Sequence, residues 1–330
     1  FYPTVEHLAP LEYKKTLTMM NEFQHTLRDV VEIKGVGLHT GVTTNLTLKP
    51  ADTDFGIRFK RTDVEGQPII KADVDYVSDT SRGTTLELKG VKVHTIEHLM
   101  AALVGSGVDN ALIEMDAPEV PILDGSSIGF IEAIEKAGLK EQDVKKIYID
   151  IDTNLEYFDD SKNVNIMAVP AKEFQVTTMI DFNSPVLGTQ HATLRSLSEF
   201  KSEIAPARTF CFLHELQALV DNNLIKGGDL SNAIVVVDRA IEAEELQQLS
   251  KIFNKPNVEV KSEGILNNVD LHYPNEQARH KLLDIVGDLA LTGYTINAHI
   301  ITSRPGHAAN IAFAKKIKQY IKQNKAIAVP

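Results

Sequence analysis

Glu97-His98-Leu99-Met100-Ala101-Ala102-Leu103-Val104-Gly105, followed at 110–115 by Asn-Ala-Leu-Ile-Glu-Met, is the stretch from which the fold can be worked out. Ile96, Leu99, Met100 and Leu103 recur at the three- and four-residue spacing of one helix face, so a helix is predicted over about 95–104. Gly105 is placed to end it, because glycine accepts the left-handed backbone that closes helices, and alternation then returns in a strand at 110–115. The order helix, glycine, strand comes back at 280–300, which is a coarse signal of internal duplication. Short strands are expected ahead of each copy: 26–33, 44–48, 56–59, 83–88 and 91–93 in the first half, 147–151, 164–169 and 175–180 in the second. Further helices are predicted at 128–137, closed by Gly138, and at about 274–291 and 308–323. The chain then divides into a tail (1–23), a first unit (24–146), a second unit (147–318) and a C-terminal tail or linker (319–330).

With 330 residues, 43% of them hydrophobic, the chain can bury a sizeable core. A net charge of −11 argues against a nucleic-acid binder, which needs a basic face to neutralise phosphates. Cys211 is the single cysteine, so no intramolecular disulfide can form, and a reducing compartment such as the cytoplasm is expected. No run approaches the roughly 18 apolar residues of a membrane span. Glu6, Glu12, Lys14 and Lys15 near the start do not read as a signal peptide.

Chemistry concentrates in His280-Lys281-Leu282-Leu283-Asp284-Ile285-Val286-Gly287-Asp288. Four residues advance a helix by about 400°, so His280, Asp284 and Asp288 form one stripe, each about 6 Å from the last. Taken alone, such a stripe equally describes a solvent-facing polar face. On the other predicted helix, Glu97 stands directly before His98, their side chains about 100° apart. Glu97 alone could simply favour the positive end of the helix dipole. Together, His98, His280 and Asp284 would give zinc two neutral imidazoles and one carboxylate, leaving a fourth position for water, with Glu97 beside it as base. The sequence 94–98 (HTIEH) also fits the H-x-x-E-H pattern of zinc peptidases, in which His94 and His98 would both bind metal.

Six separated motifs now bear on the same residues: 35–41 (GVGLHTG), 95–99 (TIEHL), 117–126 (APEVPILDGS), 207–210 (ARTF), 279–288 (RHKLLDIVGD) and 306–308 (GHA). Over about 24–318 the chain closely resembles the UDP-3-O-acyl-N-acetylglucosamine deacetylases, the zinc amidases that commit Gram-negative bacteria to lipid A synthesis. The resemblance implies an α+β fold of two similar two-layer α/β sandwich domains, packed helix to helix with the active site between them. It implies one catalytic Zn2+ on His98, His280 and Asp284, with Glu97 taking a proton from the attacking water and His307 protonating the leaving amine. Asp288 would steady His307, and Thr209 and Lys281 would receive developing charge. By residue pattern alone, His307 in Pro305-Gly306-His307 reads as a turn histidine.

In the stretch 210–224, Phe212, Leu213, Leu216, Leu219 and Val220 lie at helical spacing, which by itself more often marks core. The resemblance implies an insert there whose apolar passage accepts the substrate's acyl chain, with Phe210, Phe212 and Leu216 along it and Gly227 and Gly228 as a close-approach loop. Cys211 reads as an apolar filler. The expected partner is a UDP-linked acylated glucosamine. The resemblance leaves room for peripheral membrane association and, because some members are fused downstream to a hydroxyacyl dehydratase, for such a domain here.

Overall fold

Two sheets of one strand order frame the molecule. The computed structural model describes residues 22–216, 226–227, 232–252, 258–262, 264–267 and 269–327. In the first sheet the order is Val31–Val36, Thr43–Pro50, Ala111–Met115, Ile57–Arg61, Ile69–Lys71; in the second, Leu155–Asp159, Val164–Pro170, Thr295–Ser303, Gln175–Asp181, Thr189–Leu194. In both, the last strand is inserted beside the second, antiparallel to it, and runs parallel to the third. The repeat seen faintly in the sequence is thus present strand for strand, with Tyr148–Asp150 added to the second sheet.

Each inserted strand follows a buried helix: α1 (Glu97–Gly105) leads to the first, α5 (Glu276–Ala290) to the second. Further helices among the described residues are α2 (Ile128–Ala137), the short α3 (Phe200–Glu203), α4 (Ala243–Ile252) and α6 (His307–Ile327). Strand alternation turns Leu46, Leu48, Phe59 and Ile113 of the first sheet, and Ile166, Ala168, Val176 and Ile300 of the second, into the interior. Most buried apolar residues of both halves form one continuous cluster, with two small clusters apart from it. Among the described residues, no helix is long and apolar enough to cross a membrane.

Every residue of α1 from Glu97 to Leu103 is buried, because α5 lies across it. Gly287 makes the crossing possible. A Cβ there would stand 2.1 Å from the carbonyl oxygen of Glu97, closer than any van der Waals contact allows.

Several expectations need correction. The strand expected at 26–33 is two, Phe23–Leu27 and Val31–Val36, because the chain turns at Arg28 and Asp29, whose amides bond the carbonyls of Gly138 and Ala137. Phe23–Leu27 pairs with Leu139–Lys145, a strand hidden in the sequence by Lys140, Glu141 and Asp143. Helix α6 runs to Ile327; Ile321 is buried and the Tyr320 hydroxyl bonds Asp152, so residues 319–327 continue the helix. The helical spacing expected over 210–224 does not hold at its start: Phe210–Phe212 is a strand, parallel to Ile234–Val236, and 213–216 is helical. Leu219, Val220, Gly228 and residues 1–21 lie outside the described residues.

An alanine in a helix interior is ordinarily about 1 kcal/mol better than glycine. Gly287→Ala is expected to do the reverse and lower stability by about 1–3 kcal/mol, as overpacked sites do. Urea unfolding measures this, and an unchanged or raised midpoint would refute the account of the crossing.

Candidate metal centre

The first turn of α1 and the middle of α5 meet at the crossing, and this brings His98, His280 and Asp284 together; one ligand atom from each lies within 4.8 Å of the others. Their Nε2 atoms stand 3.8 Å (His98) and 3.5 Å (His280) from Asp284 Oδ1. Those distances are too long for hydrogen bonds but near the separation of about 3.4 Å between two ligands on one tetrahedral zinc. Asp284 Oδ1 is buried with no hydrogen-bond partner, whereas Oδ2 accepts from Lys281 Nζ at 2.9 Å. The Nδ1 of His280 lies 3.0 Å from the Ala207 carbonyl, which can only accept, so that nitrogen carries the proton and Nε2 presents a lone pair. The His98 and His280 rings meet edge to face, 4.9 Å between centroids.

The electrostatics suit a cation. Burial, then the neighbouring His280, pushes His98 down to about 3, and burial also lowers His280, so both imidazoles are neutral. Burial alone would raise Asp284, but the Lys281 ammonium and the cationic His307 outweigh it and hold the carboxyl well below the usual range. Two neutral nitrogens and one carboxylate with an orphaned, buried oxygen fit a divalent metal.

Glu97 is buried beside this group. Burial first, then Asp288 and Asp284, lifts its carboxyl to about 7 against the opposing pull of His307. Its Oε2 accepts from the Thr84 amide at 2.9 Å, and its Oε1 lies 3.9 Å from His307 Nε2. A Cβ at Gly83 would come within 2.7 Å of Oε1, so only glycine lets the loop approach the carboxylate. Burial alone would lower His307, but Asp288, Asp284 and Glu97 raise it to about 9. Asp288 Oδ2 accepts from His307 Nδ1 and from Asn310 Nδ2, both at 2.9 Å.

A cavity of about 280 Å³ opens onto these groups, lined also by Thr209, Lys281, Phe210, Phe212 and Leu216. A second cavity of equal volume, walled by Met100, Leu103, Val286 and Leu289, holds none of the candidate residues. Lys281 is therefore both at the cavity and on the carboxylate of Asp284. Gly227 is a close-approach residue, but toward the turn at 37–38: its amide bonds the Leu38 carbonyl, and a Cβ would stand 2.2 Å from Gly37 O. It does not line the cavity. Burial pushes the Cys211 thiol up to about 12, in keeping with a filler. His94 is not part of the metal group; its Nδ1 lies 3.0 Å from the Thr85 hydroxyl.

The sequence reading missed Phe182, Glu119 and Asn310. Phe182 stacks edge-on against Phe210 and Phe212 at the cavity, 5.6 and 5.4 Å between centroids. Fully buried Glu119 accepts from the amides of His39 and Thr40 and from the Thr95 hydroxyl, tying the turn at 35–41 to the start of α1. Thr95 pays for that bond with φ +58°, a strained value for a β-branched residue. A carboxylate between two prolines' worth of loop, in Pro118-Glu119-Val120-Pro121, was the available signal for Glu119.

An α+β chain with a buried His/His/Asp group, a carboxylate and another histidine on one cavity has the make-up of a metal-dependent hydrolase centre. The chain belongs to the LpxC family, UDP-3-O-acyl N-acetylglycosamine deacetylase, whose family model matches residues 24–250 and 252–319. The bifunctional enzyme LpxC/FabZ of Chlorobaculum tepidum is 46% identical over 305 residues, 92% of this chain and 65% of that protein. Its counterpart in Porphyromonas gingivalis is 47% identical over 303 residues, 92% of this chain and 66% of that protein. The UDP-3-O-acyl-N-acetylglucosamine deacetylase of Myxococcus xanthus is 39% identical over 295 residues, 89% of this chain and 86% of that protein. The chain spans only 65–66% of the length of the two bifunctional relatives.

His98→Ala is expected to abolish stoichiometric metal binding, while His94→Ala retains it. Elemental analysis of protein purified without chelator reads both, and metal loss in the His94 variant would reinstate the H-x-x-E-H arrangement.

Proposed function

We propose that this chain hydrolyses the N-acetyl amide of UDP-3-O-acyl-N-acetylglucosamine, releasing acetate and the free amine, the committed step of lipid A biosynthesis. The observation that carries this is the meeting of His98, His280, Asp284, Glu97 and His307 at one cavity in a chain of this family. The names of its relatives supply the substrate. One zinc ion on His98, His280 and Asp284 would supply Lewis acidity, acidifying water and polarising the acetamide carbonyl.

Glu97 takes the proton of the attacking water. A carboxyl lifted toward neutrality accepts and returns protons most readily near physiological pH. His307, kept cationic by Asp288, donates from Nε2 to the amine nitrogen as the C–N bond breaks. Thr209 and Lys281 face the negative charge that develops on the carbonyl oxygen; Lys281 has three donors and spends one on Asp284. Phe210, Phe212 and Leu216, joined by Phe182, form the apolar wall that accepts the acyl chain. Gly227 lets its loop close against the turn at 37–38, whose Leu38 and His39 line the cavity.

In the same reading the chain is two repeated α/β sandwiches, 24–146 and 147–318, with α1 and α5 as their shared interface; the matching strand orders support it. The single cysteine supports a cytoplasmic setting, and the bifunctional relatives support a dehydratase domain working beside the deacetylase.

Zinc-loaded protein is expected to release acetate from the substrate, and no release would refute the proposal. Glu97→Ala and His307→Ala should keep near-stoichiometric zinc yet lower kcat by about 10²-fold or more. Because His307 acts while protonated, kcat/KM should fall as pH rises through about 9. That descending limb should vanish in His307→Ala; its persistence there would assign it to another group.

A further inference from the structure

Thr84 is fully buried and touches both sides of the site. Its amide donates to Glu97 Oε2 at 2.9 Å, and its carbonyl accepts from the Ile96 amide at 3.3 Å, so the loop is clasped to the first turn of α1. Its hydroxyl donates to Asp288 Oδ1 at 2.5 Å on α5, and the same oxygen lies 3.5 Å from His307 Nδ1. A hydroxyl has one proton, and here it goes to the carboxylate. Asp288 Oδ2 is shared by His307 and Asn310, so among the hydrogen bonds of this carboxylate Thr84 holds the other oxygen. With both oxygens held, the carboxylate plane is fixed, and with it the direction of the His307 ring. A β-branched side chain keeps few χ1 choices, which suits a residue that must aim one proton.

We propose that Thr84 is a positioning residue that locks Asp288, and through it His307, at a set distance from Glu97, joining the two proton-transfer groups across the α1–α5 crossing. This rests on the reading of Glu97 as base and His307 as acid. Thr84 does not itself meet the substrate: it acts through the two residues it holds, and it is absent from the cavity lining. Val fills the same volume without the donor. It would leave Asp288 Oδ1 buried without that bond and free the carboxylate to turn.

Thr84→Val, zinc-loaded, should lower kcat about 10- to 100-fold with KM within twofold of wild type and zinc content unchanged; Thr84→Ser should recover most of the rate. If Thr84→Val does not fold, Thr84→Ala serves in its place. In a His307→Ala background the Thr84 substitution should cost little more, because its effect passes through His307. A structural role alone would instead give additive losses, a raised KM or lost zinc. Wild-type kcat in Thr84→Val, or no recovery with Ser, would overturn the proposal. The His307 Nδ1 resonance of 15N-histidine-labelled protein supplies a readout without substrate: it should move in Thr84→Val and return in Thr84→Ser. If wild-type protein releases no acetate, the function reading fails separately, and an unmoved resonance would then refute the role of Thr84.

Discussion

The crossing of α1 over α5 is the constraint on which the rest of the structure depends. Helix axes ordinarily stay 8–10 Å apart, with side chains between them. Here Gly287 removes the side chain at the point of closest approach, and the backbone of Glu97 occupies the space. That brings the first turn of one helix against the middle of the other. His98, which faces away from Glu97 by one helical step, then shares a point with His280 and Asp284, while Glu97 faces His307 and Asp288. A wider crossing would separate the two imidazoles and leave each as an ordinary buried polar group.

Close packing of this kind also sets the charges. Three carboxylates, Glu97, Asp284 and Asp288, are buried with His98 and His280 beside the partly buried His307 and Lys281, and their environments push them apart. Asp284 is held ionised by Lys281, and the histidines facing it are driven neutral by burial. Glu97, with His307 Nε2 at 3.9 Å, is lifted by burial to about 7, while His307, hydrogen-bonded to Asp288, rises to about 9. Neighbouring titratable groups with divergent proton affinities are the pattern expected of a paired base and acid. The same burial makes the support network costly to disturb, because each lost partner leaves a polar atom without water.

Much of this was legible in the sequence, for reasons that differ by element. The helices at 97–105 and 276–290 announce themselves by apolar spacing and by the glycine or turn that follows, and the i, i+4 pair His280 and Asp284 converges as helical geometry requires. Leu139–Lys145 was not legible, since its alternation is carried by half-buried Leu139, Gln142 and Val144 among charged neighbours. Phe210–Phe212 was misread because two aromatics two apart begin either a strand face or a helical stripe, and only the pairing with Ile234–Val236 decides. Thr84, Glu119 and Asn310 could not be found by spacing, because their importance lies in hydrogen bonds spanning 204, 24 and 22 positions.

The two sheets of one strand order are equivalent scaffolds, but the proposed chemistry uses them unequally. The first half supplies a loop, at Gly83 and Thr84, and a helix start, where Thr95 is strained to aim Glu97 and His98. The second supplies a helix middle, with one polar residue per turn, and the start of α6 at His307. Only the second half carries the excursion between α3 and α5, whose small apolar clusters around Phe212, Val235 and Ile265 stand apart from the main core. A segment with its own core can change shape without loosening the crossing below it. Under the proposed reading of Phe210, Phe212 and Leu216 as the acyl wall, substrate selection can vary in that excursion while the geometry of Glu97 and His307, fixed by Gly287 and the Glu97 backbone, stays the same.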